Sequence, residues 1–245
     1  MLVFLSTACL KFMSNIIEGD GFNVNIIKST RRKTMALKVN HRGVSIHIPS
    51  NLSLTTAKKF IVQKTAWIQH KLEQQAVHPI IEKQYIDGET FLLLGEPYTL
   101  RLHSQETTLS VNKVDSYIDV IGRLNRATKT SIQKALIHWY KQQAEQYLKT
   151  QTQFWAEKTG LQPRSISVKT YKARWGSCKI NGDIQFNWKL ILAPVDVIDY
   201  VIVHELCHLA HHNHSALYWQ LVEKQYPNFK QTRQWLKNHG HRLEI

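Results

Sequence analysis

The 245-residue chain predicts an α+β fold: a β-rich N-terminal region, then a half in which helices pack on a small sheet. Two patterns predict it. Short alternating stretches rich in β-branched residues, bounded by Gly, Pro and Asn, crowd the first half. Long runs with apolar residues at helical spacing, free of internal Gly and Pro, dominate the second.

Residues 22–28 (FNVNIIK), 34–40 (TMALKVN) and 43–48 (GVSIHI) read as strands. Asn40-His41-Arg42-Gly43 supplies a hairpin turn, and Pro49-Ser50 ends the run. Ala57, Phe60, Ile61, Trp67, Ile68 and Leu72 place one amphipathic helix over about 54–76. From 85 to 121 short strands are punctuated by Asp87-Gly88, Gly95 and Gly122. A long helix over about 127–158 carries Ile132, Ala135, Trp139, Tyr147 and Phe154 and breaks at Gly160 and Pro163. Strands at 165–171 and 184–190 flank a turn at Asn181-Gly182, forming a hairpin. A helix over 195–212 follows, then a closing helix over about 215–237, interrupted near Pro227. No internal repeat or low-complexity linker divides the chain. The expected segments are a poorly defined N-terminus (1–21), a β-rich region with one helix (22–122), and a catalytic half (123–245).

The helix over 195–212 contains His204-Glu205-Leu206-Cys207-His208. Histidines four apart on a helix sit about 40° apart around its axis, so both imidazoles can reach one ion. The glutamate beside the first sits at the edge of that site, placed to activate a water. Val197, Ile198, Val201, Ile202, Leu206 and Leu209 recur at helical spacing, Pro194 stands where the first turn tolerates proline, and Asp196 and Asp199 favour the positive end of the helix dipole. The motif therefore lies on a helix predicted to be buried. The alternative is a core helix that carries surface histidines. With the metal reading, the pattern points to zinc-dependent hydrolysis, most often of peptides.

A catalytic zinc site needs a third protein ligand. His211 returns to nearly the same helix face as His204 but lies roughly 10 Å further along the axis, too far to share an ion. His212 points elsewhere. His214 is six residues past His208 and reaches the metal only if the helix ends first; Asn213 tolerates the left-handed conformation that ends helices. His214 is preferred, with Glu223 on the next helix as the competitor. His239 and His241 read as solvated tail residues.

Beside the motif, Arg174-Trp175-Gly176-Ser177-Cys178 admits two readings. Gly176 permits close backbone approach at an active-site rim and Arg174 could anchor a substrate carboxylate or phosphate; otherwise this is a bulged strand end with Trp175 packed on the metal helix. Tyr218, Arg174 and Tyr171 are options for a second electrophile beside the oxyanion, and Tyr218 with Trp219 also suits plain core packing. Arg174, Trp175, Gly176 and Tyr218 are thus the candidate substrate-binding residues. An exposed strand of the 165–190 hairpin could hold an extended peptide by main-chain hydrogen bonds. Cys178 and Cys207 read as buried, inert thiols.

Lys+Arg exceed Asp+Glu by 14. The excess favours acidic partners, nucleic acid above all, yet it is spread rather than gathered into tails. Three sparse cysteines give no disulfide framework and fit a reducing cytoplasm. The apolar start MLVFLSTACL lacks a basic region and is too short for a cleaved signal, so Met13 is an alternative first residue. No stretch is long and apolar enough to span a membrane.

The segments STRRKTMALKV, KTAWIQHKL and YIDGETFLLLGEPYTL, followed by YKARWGSC, GDIQFNWKLILAPVDVIDYVIVHELCHL and NHSALYWQLVEKQYPNFK, resemble the YgjP-like metallopeptidases. This is a family of small predicted zinc proteases related to SprT and Wss1-type enzymes, and the resemblance covers nearly everything after about residue 25. It implies a zincin-like catalytic half holding one catalytic Zn2+ on His204, His208 and His214, with Glu205 as general base and a polypeptide as substrate. The DNA-linked role of the SprT and Wss1-type relatives also implies that nucleic acid could bind the basic surface.

Overall fold

A computed structural model describes residues 15–40, 43–77 and 82–245. The N-terminal stretch containing Cys9 and Met13, and His41 and Arg42 of the expected hairpin turn, lie outside the described residues. The chain is α+β and divides into two compact units between Glu82 and Lys83.

The first unit is a four-stranded sheet with two helices. Strands β1 (Ile16–Glu18), β2 (Asn23–Ser29), β3 (Ala36–Asn40) and β4 (Gly43–Pro49) stand in the order β1-β2-β4-β3. The β3–β4 pair is antiparallel with Asn40 opposite Gly43, whereas β2 and β4 run parallel. Val24 and Ile26 alternate with exposed neighbours on β2, and Val44, Ile46 and Ile48 alternate with half-buried ones on β4, so one face of the sheet is apolar. Ala57, Ile61 and Ile68 cover it. The single helix expected over 54–76 is two, α1 (Leu54–Gln63) and α2 (Thr65–Val77). Lys64 leaves the helical region, its N–H bonding back to the carbonyl of Ile61, and the β-branched Thr65 also donates to that carbonyl.

The second unit starts with β5 (Thr90–Leu93), β6 (Glu96–Ser104), β7 (Ser110–Val114) and β8 (Tyr117–Gly122), in the order β5-β6-β8-β7. The long helix α3 (Lys129–Thr159) follows, opened by a reciprocal Thr128–Ser131 cap. Then come β9 (Ser165–Lys169), β10 (Gly176–Cys178) and β11 (Asp183–Asn187), and helices α4 (Val195–Cys207), α5 (Ala216–Gln225) and α6 (Phe229–His239). No helix among the described residues is long and apolar enough to cross a membrane.

The unit boundary is not at residue 122, where the sequence placed it. The β5–β8 sheet shares one core with the helices: Phe91, Leu100, Ile118 and Val120 cluster with Leu136, Tyr140, Ile198 and Ile202. The β5–β6 turn is fitted to the start of α4. Gly95 has φ +82°, and a Cβ there would lie 2.7 Å from Cα of Pro194, while Leu94 N–H donates to the carbonyl of Ile191. A turn bound this closely cannot belong to a separate accessory layer.

The strands at 165–190 also differ from a simple hairpin. β9 and β11 are parallel, and the added strand β10 pairs antiparallel with β11, giving the order β10-β11-β9. Residues 188–192 form a 3-10 turn, not strand. Asn187, buried in an otherwise apolar strand end, explains the loop before β10. Its side-chain N–H groups donate to the carbonyls of Tyr171 and Arg174, and its backbone N–H donates to that of Trp175.

Candidate metal centre

Helix α4 is apolar nearly all round, and its Val197, Ile198, Tyr200, Val201, Ile202, Val203, Leu206 and Cys207 are buried. Such a helix belongs to a core, and fully burying each large aliphatic side chain contributes about 1.5–3 kcal/mol. The few polar groups it carries are therefore held on a rigid element.

The helix ends five residues before the expected limit of 212. The N–H groups of Leu209 and Ala210 turn back to the carbonyls of Leu206 and Cys207, tightening the last turn in the i→i−3 manner. Asn213 is not left-handed as expected; the tightened turn, not an αL residue, ends the helix and returns the chain. His214 then reaches His204 and His208, and ligand nitrogens of the three lie within 4.8 Å of one another.

Each imidazole is held differently. His208 Nδ1 is 3.0 Å from the carbonyl of His211, which makes Nδ1 the protonated nitrogen and leaves Nε2 with a free lone pair. His211 thus serves the cluster through its backbone, not its ring. His204 Nδ1 is buried with no hydrogen-bond partner, while its Nε2 lies 3.3 Å from Nε2 of His214. Burial lowers the pKa of His204 to about 3, helped by His208, His214 and Arg233. Burial lowers His208 as well. Both rings are neutral near neutral pH, as metal ligation requires.

Glu205 is 5% exposed. Burial pushes its pKa up to about 8, against opposing effects from the Cys178 backbone and the Arg174 guanidinium. Gly176 lies against its carboxylate: a Cβ there would be 2.6 Å from Oε1 and 2.7 Å from Cγ. Burial also raises the Cys178 thiol to about 11 and the Cys207 thiol to about 12, so neither is a thiolate at neutral pH.

Tyr218 is fully buried; its hydroxyl donates to the carbonyl of His204 at 3.0 Å, and its ring stacks on His208 at 4.5 Å. Arg174 is exposed and packs over Tyr171 at 5.0 Å. Trp175 lies against Gly240, where a Cβ would meet its ring at 3.1 Å. Glu223 stands outside the cluster, pairing with Lys230 at 2.9 Å.

Three contributors were not singled out from sequence. Trp219 stacks on His214 at 5.5 Å and 19°, and on buried Phe229 at 5.5 Å and 18°. Arg233 sits over the Trp219 ring. Asn187 fixes the loop before β10. Of these only Asn187 had a local signal, an amide set between the large apolar residues Phe186 and Trp188.

This arrangement can hold a metal beside a buried carboxylate, and with the fold it defines the metallopeptidase class. The chain belongs to the YgjP-like family, whose metallopeptidase domain model matches residues 33–239. Among solved structures, the metallopeptidase zymogen abylysin of Pyrococcus abyssi is similar over 37% of this chain and 93% of its own, with 21% identity and a TM-score of 0.34. No curated protein matches the chain. Neither match bears on a nucleic-acid partner.

Proposed function

We propose that the protein is a zinc metalloendopeptidase in which His204, His208 and His214 hold one Zn2+ and Glu205 is the general base. The observation that carries this is the 3.3 Å separation of the His204 and His214 Nε2 atoms. Zinc binds imidazole nitrogens at about 2.0–2.1 Å with tetrahedral angles, so two nitrogens on one ion stand about 3.3 Å apart. Neutral imidazoles with no added carboxylate suit zinc over the hard, oxygen-seeking cations. Bound zinc supplies Lewis acidity, making a water acidic near neutral pH and drawing charge from a carbonyl oxygen.

The chain's own residues supply the rest. Glu205, buried on the helix that carries two of the histidines, is the group placed to take a proton from a water and pass it to a leaving amine, and the positive charge of a bound ion would favour its ionised form. Gly176 leaves room for that carboxylate. β10 pairs with β11 on one edge only, and an extended polypeptide laid along its other edge would run past Glu205. Arg174, exposed beside that edge, would contact the substrate; Trp175 and Tyr218 act by holding the strand and the histidines. The catalytic unit on this reading is 83–245. The free thiols of Cys178 and Cys207 suit a reducing cytoplasm.

Chelation followed by metal restoration tests the proposal. Removing the metal should abolish hydrolysis of an unstructured polypeptide, and stoichiometric Zn2+ should restore it. Activity that survives full chelation would refute it.

A further inference from the structure

Arg233, on α6, places a fixed positive charge one ring away from the histidine cluster. Its guanidinium carbon is 4.6 Å from the Trp219 ring centroid, and Trp219 in turn lies 5.5 Å from the His214 ring and 5.9 Å from the His204 ring. The side chain is exposed and forms no ion pair with a carboxylate among the described residues. It is nonetheless held in place. A guanidinium over an indole face is attracted by the ring quadrupole, and that indole is stacked on buried Phe229.

Electrostatic balance says what this cation faces. The three imidazoles bring no negative charge, and the Glu205 carboxyl beside His204 on α4 is buried. A site holding a divalent ion near Arg233 is left with positive charge, and no carboxylate among the described residues pairs with that guanidinium. Parking on Trp219 leaves the N–H edge of the guanidinium open, and that planar fork matches a carboxylate in bidentate fashion.

We propose that Arg233 is a specificity-determining residue that receives a substrate carboxylate close to the scissile bond: an acidic side chain where the cut is internal, or the free C-terminus where the enzyme trims chain ends instead. The proposal rests on the peptidase reading and names the substrate class for it. Charge-assisted hydrogen bonding of this kind predicts a preference of about ten- to a hundredfold over a neutral isostere.

Two peptide pairs test it on zinc-loaded protein: an amidated peptide carrying Glu or Gln near the cleavage point, and a neutral peptide ending in a free acid or an amide. Hydrolysis is read as the ratio of kcat/KM within each pair. Binding is read by calorimetry on the Glu205→Gln protein, which needs no turnover. The wild-type ratio should favour the acid in one pair, and that pair identifies the source of the carboxylate. Arg233→Gln should bring the ratio close to one at unchanged zinc content, and Arg233→Lys should keep part of it. A ratio near one in wild type, or one that Arg233→Gln leaves intact, overturns the proposal. Preferential binding without any cleavage would uphold this inference and defeat the peptidase reading; cleavage without preference would do the reverse.

Discussion

Gly176 and Glu205 are in contact so close that no larger residue fits: a Cβ on Gly176 would stand 2.6 Å from the Glu205 carboxylate oxygen. Both neighbours are fixed, one on a strand and the other on a buried helix, so the carboxylate would have to move. Gly176→Ala is expected to lower kcat/KM by about 10²–10⁴-fold, the usual contribution of a general base, with bound zinc retained. Peptide kinetics beside metal analysis check this, and wild-type kinetics from the Ala variant would contradict it.

Trp219 carries the orientation of His214, the exposed member of the cluster. The stack Phe229–Trp219–His214 runs from the core to the histidine cluster with interplanar angles of 18° and 19°. Groups that orient metal ligands are worth about 10–100-fold in affinity. Trp219→Ala should weaken zinc binding by that factor in a chelator competition, and Trp219→Phe, which keeps a stacking ring, should recover part of it. Equal zinc affinity in all three proteins would show that the stack does not position His214.

The Gly95–Pro194 contact should matter for stability rather than chemistry. Alanine at position 95 meets both a φ of +82° and the Pro194 backbone at 2.7 Å. Strain of this kind costs about 1–3 kcal/mol, read as a lower midpoint in denaturant unfolding. An unchanged midpoint would mean that the turn relaxes freely.

Asp119 gives the second unit a pH-dependent element far in sequence from the histidines. The hydrogen-bonded guanidinium of Arg101, at 2.7 and 2.9 Å, holds its carboxyl below the ordinary value. A depressed folded pKa means that the unfolded chain takes up the proton first on acidification. The contribution is therefore complete well above the unfolded value of about 3.9 and fades as the pH falls through the lower folded pKa. Asp119→Asn should show a shallower loss of stability across that window in unfolding measured at stepped pH. A difference from wild type that stays constant with pH would refute the assignment.

The sequence carried the helix motif clearly because its requirements are local: two histidines four apart, an apolar helix, no internal breaker. His214 was reachable from geometry, since only a helix that ends early returns it, although the residue expected to end it did not. What required the fold was everything arriving from distant segments. The grip of Gly95 on Pro194 decides where the compact unit begins, and no local pattern announces it. The parallel pairing of β9 with β11 depends on a three-residue strand too short to show a period. Trp219 reads in sequence as one more core aromatic, and Arg233 as one more surface cation; only the stacking of Trp219 on His214, and of Arg233 on Trp219, gives them a place at the site.

The most direct measurement is zinc content and peptide hydrolysis taken on the same samples of wild type and Glu205→Gln. One zinc ion per chain is expected in both proteins, with hydrolysis by the wild type and its loss in the Gln variant. A wild type that holds no stoichiometric metal, or a Gln variant that cleaves as fast as wild type, would contradict it.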